Sequence, residues 1–249
     1  MDAAERKNRE DTIYDILRTD ILELKLRPGM VFSIKDIMEV YDVGRTPVRD
    51  ALISLSKDGL VTLLPQKGTM ISKINYDKIR NERFMRISVE KQIMLEFMGV
   101  CDLKILTELE MSIDRQSSIL KSGDPRAFMA EDMYFHSIFY YGVKKGYCCQ
   151  ILTDNSGHYN RMRLLVMSEN GIERRIIDQH KELIDAVLAK DSDRLCTILN
   201  HHLNRIVSQE RRIIQNYPDL FDTERQEARR ETDELGVDFL VETKLKYHA

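Results

Sequence analysis

Apolar residues first recur at helical spacing at Ile13, Ile16, Leu17, Ile21 and Leu24, which predicts an amphipathic helix. Leu26-Arg27-Pro28-Gly29 ends it, because neither Pro nor Gly continues a helix. Ser33 is placed to cap a second helix over residues 34–40, with Asp36 at its third position. A third helix begins near Arg45-Thr46-Pro47, where Pro is tolerated because a first-turn N–H has no partner to lose. It runs to Asp58-Gly59, and Gly59 is a natural stop. The pattern then changes to strands: Leu60-Val61-Thr62-Leu63-Leu64 and Thr69-Met70-Ile71-Ser72 flank a Pro65-Gln66-Lys67-Gly68 turn.

From residue 76 to about 215 the periodicity is helical almost throughout. Breaks fall at Gly99, Ser122 to Pro125, Gly142 to Gly146, Glu169-Asn170-Gly171 and Ala189 to Ser192. They predict about six or seven antiparallel helices of roughly 12–20 residues. Beyond Tyr217-Pro218 lies a charged segment with almost no apolar face from Thr223 to Glu234, read as a solvated helix or mobile tail. The expected division is therefore 1–75, 76–222 and a charged tail, 223–249, whose role the residues do not state.

Composition narrows the classes. The chain has 249 residues, 43% apolar and 32% charged, which suits a folded, helix-rich protein. Eleven Gly and five Pro leave little for the turns of an all-β fold. No run approaches a membrane-spanning length, and the charged N-terminus precedes no apolar stretch, so neither a membrane span nor a secretory signal is expected. Four Cys without metal-finger spacing fit reduced thiols, and a cytoplasmic protein is expected. The vicinal pair Cys148-Cys149, the twelve Met and Ser117-Ser118 read as packing or surface residues without chemistry. A net charge of −3 gives no global sign of nucleic-acid binding, so any such activity needs a local patch.

Residues 44–75 hold one. Arg45, Arg49, Lys57, Lys67 and Lys73 face only Asp50 and Asp58. Two helices joined by a tight turn and followed by a hairpin make a winged helix-turn-helix, whose second helix presents its first turn to a DNA major groove. Arg45, Thr46 and Arg49 would then meet base edges or phosphates, and Lys35 and Lys67 would meet phosphates. Gly68 would let the wing backbone approach the duplex. Spacing alone equally allows a small helical unit with a solvated charged face.

A second constellation lies in the helical region. Asp132 and His136, four apart, share one helix face. His180 and His202 are 22 residues apart around the break at Lys190-Asp191-Ser192, so each stands at the same height on adjacent helices. One carboxylate and three imidazoles could surround a Zn, Ni or Mn ion with positions left open. His202 is preferred over His201 because Ile198 and Leu199 mark its side as the inward one. The same spacings also fit a helix ion pair and satisfied core histidines.

The residues themselves favour one reading. Leu26-x-Pro28-Gly29, Val43-Gly44-Arg45-Thr46-Pro47-Val48-Arg49-Asp50-Ala51-Leu52, Leu55, Gly59-Leu60-Val61 and the Lys67-Gly68 wing closely resemble the GntR family of bacterial transcriptional regulators over about 60 residues. Arg86-x-x-x-Glu90, Asp132-x-x-Phe135-His136, His180-Lys181-x-x-Ile184-x-Ala186-Val187-x-x-x-Asp191 and His202-Leu203 resemble the FCD ligand-binding domain of its FadR-type subfamily.

The resemblance implies a mainly α protein: a winged helix-turn-helix with a small β-wing, then an all-α antiparallel bundle. It implies operator contacts by Lys35, Arg45, Thr46, Arg49 and Gly68. It implies a divalent metal on Asp132, His136, His180 and His202, and a small carboxylate or sugar-acid effector on the metal and Arg86, with Arg163 as a second cationic group. A homodimeric repressor released by effector is expected, with no membrane partner. Two positions depart from the family pattern. Gly44 replaces a usual Ser or Thr and removes a capping hydroxyl, and Lys145 stands where Asn is usual. The competing readings are a metal-dependent hydrolase with Glu90 as its acid or base, and a metal-free scaffold.

Overall fold

The computed structural model describes residues 3–205 and 207–222, so the tail read from Thr223 onward lies outside the described residues. The first unit runs α1 (Ala3–Leu22), β1 (Val31–Phe32), α2 (Ile34–Tyr41), α3 (Arg45–Lys57), β2 (Val61–Leu64) and β3 (Gly68–Ile71). Ile13, Leu17 and Ile21 of α1 bury their expected stripe against Val48, Leu52 and Leu55 of α3, with Ile37 of α2 closing the core. Ser33 and Asp36 form the anticipated capping box: Ser33 Oγ accepts from Asp36 N at 3.2 Å, and Asp36 Oδ2 accepts from Ser33 N at 2.7 Å. At the start of α3, Gly44 is extended and supplies no side-chain cap, as its missing hydroxyl requires.

The wing is a three-stranded antiparallel sheet, β1-β3-β2, with Leu64 opposite Gly68 and Val31 opposite Met70. β1 has two residues, too few for any alternation to announce it; it exists because β3 offers a free edge. Gly68 sits at φ +113°, and a Cβ there would stand 2.5 Å from the carbonyl oxygen of Phe32. Glycine is thus required by the sheet itself, before any duplex approaches.

The second unit contains α4 (Tyr76–Phe97), α5 (Leu103–Ser122), α6 (Pro125–Gly142), α7 (Gly146–Asp154), α8 (Gly157–Asn170), α9 (Glu173–Leu188), α10 (Ser192–Asn204) and α11 (Val207–Asn216). Eight helices stand among the described residues where six or seven were expected. The two unforeseen breaks fall after Asp154, where Asn155-Ser156-Gly157 is a turn signal passed over, and after Asn204, where no Gly or Pro marks the stop. Side chains of Asp102, Asp124 and Asp191 cap α5, α6 and α10, which fixes where those helices begin. Phe97, Phe135 and Phe139 meet edge-to-face in a core built mainly from α4, α5, α6, α9 and α10. No described helix is long and apolar enough to cross a membrane.

A third cluster joins the two units. Ile74 pairs with Phe221 in a single parallel bridge: Ile74 N donates to Leu220 O at 2.8 Å and Asp222 N donates to Ile74 O at 3.0 Å. Arg161 of α8, wholly buried, donates to Ser72 O at 2.7 Å, and Asn75 N donates to His158 Nδ1 at 3.0 Å. Burial pushes the Glu82 carboxyl up to about 7, against the pull of the His158 and Tyr159 N–H groups that it accepts. The sequence reading assigned His158 and Arg161 no part in this seam.

Replacing Gly68 by Ala forces a side chain into both a left-handed backbone and a carbonyl contact. The expected loss is about 1–3 kcal/mol of folding stability, read as a lower denaturant midpoint at unchanged slope.

Candidate metal centre and nucleic-acid interface

The bundle brings four expected side chains to one point. Asp132 and His136 project from α6, His180 from α9 and His202 from α10, and all four are buried. One ligand atom from each lies within 4.8 Å of the other three. His201, its neighbour on α10, faces solvent. Phe135 stacks on the His180 ring at 4.0 Å between centroids and 17° between planes, which holds that ring in place.

The outer nitrogens decide which inner ones are free. His180 Nδ1 is 2.8 Å from Gln116 Oε1, and His202 Nδ1 is 3.1 Å from Gln179 Oε1. A carboxamide oxygen only accepts, so each Nδ1 carries the proton and each Nε2 keeps a lone pair. His136 Nδ1 lies 3.1 Å from Glu90 Oε2, close but with its N–H not aimed at the oxygen. Inside, His136 Nε2 and His202 Nε2 stand 3.1 Å apart. His180 Nε2 lies 3.6 Å from Asp132 Oδ1, and neither atom has a hydrogen-bond partner.

Adding protons is a poor remedy for this crowding of acceptors. Burial pushes the His180 imidazole down to about 3 and the His202 imidazole well below its usual range. Burial opposes ionisation of Asp132, but the Arg163 guanidinium together with the neighbouring His136, His180 and Arg86 outweighs it and holds the carboxyl far below the usual range. One ionised carboxylate and three converging imidazoles, two of them with their outer nitrogens hydrogen-bonded, fit a divalent transition metal ion.

Beside the cluster lies a small cavity lined by Arg86, Glu90, His136, Tyr140, Asn160 and Arg163, among others. Arg86 donates through Nε to Glu90 Oε1 at 2.8 Å, and Arg163 donates to Asp132 Oδ2. Both guanidinium groups lie over the Tyr159 ring, at 6.0 and 5.7 Å. Burial opposes ionisation of Glu90 too, yet Arg86 and His136 together outweigh it and bring the carboxyl down to about 2. Glu90 is thus engaged by Arg86 in a buried ion pair, a positioning role in place of the acid–base role considered for it. Its pairing with Arg86 follows from their i,i+4 spacing, whereas Gln116 and Gln179 were not anticipated; nothing in their local spacing signals a role. Lys145 pairs with Glu96 outside the cavity, so the departure there leaves the cluster intact.

The other candidate surface is simpler. Arg45, Thr46, Arg49 and Lys67 are exposed, and Arg45 and Arg49 line a groove between α3 and the wing with Ile34, Leu63 and Thr69. Among the described residues no acidic side chain forms an ion pair with Arg45, Arg49 or Lys67. Lys35 is exposed and pairs with Glu39 at 3.4 Å. Gly68 sits at the hairpin, half-buried against β1.

Comparison with known proteins follows the same division. Residues 9–71 match the family model described as bacterial regulatory proteins, gntR family, and residues 83–205 match the FCD domain. The chain is 31% identical over 219 residues to an HTH-type transcriptional regulator in an unstable DNA locus of Streptomyces ambofaciens, covering 88% of this chain and 92% of that one. It is 26% identical over 216 residues to the HTH-type transcriptional repressor RspR of Escherichia coli (strain K12), covering 85% and 93%. The solved structure of E. coli McbR/YncC shares the fold at a TM-score of 0.69 and 18% identity, covering 84% of this chain and 98% of that one.

Replacing Gln116 by Leu removes the acceptor that sets the His180 tautomer while keeping its ligand atom. The expected result is a roughly 10–100-fold weaker affinity for Zn2+, measured by competition with a chromogenic chelator.

Proposed function

Because this chain belongs to the gntR family of bacterial regulatory proteins and carries an FCD domain, we propose that it is a metal-dependent, effector-controlled repressor. Its DNA-reading unit is residues 1–75 and its sensing unit residues 76–222. Lys35, Arg45, Thr46, Arg49, Lys67 and Gly68 make the operator contacts, with Arg45 and Arg49 reading from one face of α3. The protein acts as a homodimer, which matches a two-fold operator.

Asp132, His136, His180 and His202 hold a divalent ion, of which Zn, Ni and Mn suit the donor set. The observation that carries this is the convergence of one ligand atom from each of three imidazoles and one carboxylate within 4.8 Å, with the outer nitrogens of His180 and His202 held by carboxamide oxygens. Charge then points to the effector. Arg86 and Arg163 balance Glu90 and Asp132, so a divalent ion leaves a buried surplus of positive charge. A small carboxylate or sugar acid answers it, with oxygens on the metal and on the arginine forks. Bound effector favours an arrangement of the DNA-reading units that releases the operator.

Two variants separate the halves of this reading. Arg49→Ala is expected to weaken binding to an operator fragment, selected from random sequence, by about 1–3 kcal/mol; wild-type affinity in an electrophoretic shift would refute the recognition-helix assignment. His180→Ala is expected to lose the metal and all response to the effector while keeping operator binding. An effector response that survives in the metal-free variant, by elemental analysis and shift assay, refutes the metal-centred sensing unit.

A further inference from the structure

The effector reading leaves the size of the ligand open, and a second cleft bears on it. The cavity beside the metal cluster ends against Met133, Thr153 and Asn160. The same three side chains form one wall of an opening of about 150 Å3 between the two units. Its floor is Met129 and Ala130 of α6 with Leu164 of α8, and its roof is Thr19 and Leu22 of α1. Space of that order accepts an apolar molecule the size of benzene.

The polar groups at the rim are already engaged. Arg18 donates to Thr153 O at 3.0 Å, and Arg126 donates through Nε to Glu23 O at 2.9 Å. The cleft therefore offers contact to carbon more than hydrogen bonds to a second acid group. The distance fits as well. Met129, Met133 and His136 lie along one face of α6, and seven residues of helix span roughly 10 Å, about the length of a six- to eight-carbon chain. Met133, unbranched and flexible, is the side chain that must swing to join the two spaces.

We propose that the effector pocket continues into this cleft, and that the effector is a carboxylic acid whose apolar body of about six carbons lies against α1. The proposal rests on the metal-and-carboxylate reading above. Its carboxylate stays at the metal and Arg86, and its far end touches the first helix of the DNA-reading unit directly. The ligand would then bear on both units at once.

The test is isothermal titration of the full chain, loaded with Zn2+, against acetate, butanoate, hexanoate and octanoate. Affinity is expected to climb roughly three- to fourfold per methylene and to level off between hexanoate and octanoate. Ala130→Phe, which fills the floor, is expected to abolish the climb while leaving acetate affinity unchanged. Thr19→Phe on α1 does the same from the other side, and serves if the first variant fails to fold by circular dichroism. Acetate binding with no gain along the wild-type series overturns the cleft proposal and leaves the effector reading standing. A climb that survives in a folded variant also overturns it, because the chain then lies elsewhere. If no acid of any length binds, this proposal is overturned together with the simple-carboxylate form of the effector reading, and only its sugar-acid form stands.

Discussion

The sensing half of the molecule is governed by one constraint: too many lone pairs face each other in a space that water does not reach. Gln116 and Gln179 hold protons on the outer nitrogens of His180 and His202. The inner nitrogens are then acceptors beside an ionised carboxylate. Such a group of atoms is costly unless something positive sits among them, and burial disfavours supplying that charge as protons. The cluster therefore has the donor set and burial that a cation would satisfy, and the packing around it holds those atoms together.

The helices show how. α6 contributes two donors one turn apart, and α9 and α10 contribute one each across a hairpin whose bend is set by the Asp191 cap. α5 and α9 supply the glutamines, α4 supplies Arg86 and Glu90, and α8 supplies Arg163 to the far oxygen of Asp132. Six helices therefore converge on one volume, and each brings a charge or a hydrogen bond as well as apolar bulk. Removing any single outer contact leaves a ligand present but free to turn. α8 has a second attachment, since Arg161 and His158 reach the segment that leads out of the wing. The helix that neutralises Asp132 also fastens the DNA-reading unit.

Much of this was readable in the sequence, for identifiable reasons. Asp132 and His136 are four apart, and His180 and His202 straddle a marked turn, so helix geometry brings the members of each pair together, and the family resemblance implied that the two pairs meet. The capping box at Ser33 and Asp36 and the stop at Gly59 are equally local signals. Arg86 and Glu90, four apart, were legible as a pair; Gln116 and Gln179 were not, because what defines them is a partner 64 and 23 residues away. β1 was invisible for a similar reason: two residues become a strand only when β3 lies beside them. Gly68 was noticed, but for the duplex; the carbonyl of Phe32 that demands it lies on that unforeseen strand.

The bridge between Ile74 and Phe221 has a consequence for how the protein is made. Its two halves lie at opposite ends of the sensing unit, with the whole bundle between them. The amino-terminal head contains only local partners and completes its own core early in synthesis. Its attachment is made in stages: α8 reaches the connection through Arg161 and His158, and the segment that leaves the ribosome about 150 positions after the head adds the final bridge. A nascent chain therefore carries a folded head whose attachment to the bundle is complete only when that short segment clasps the connection between them.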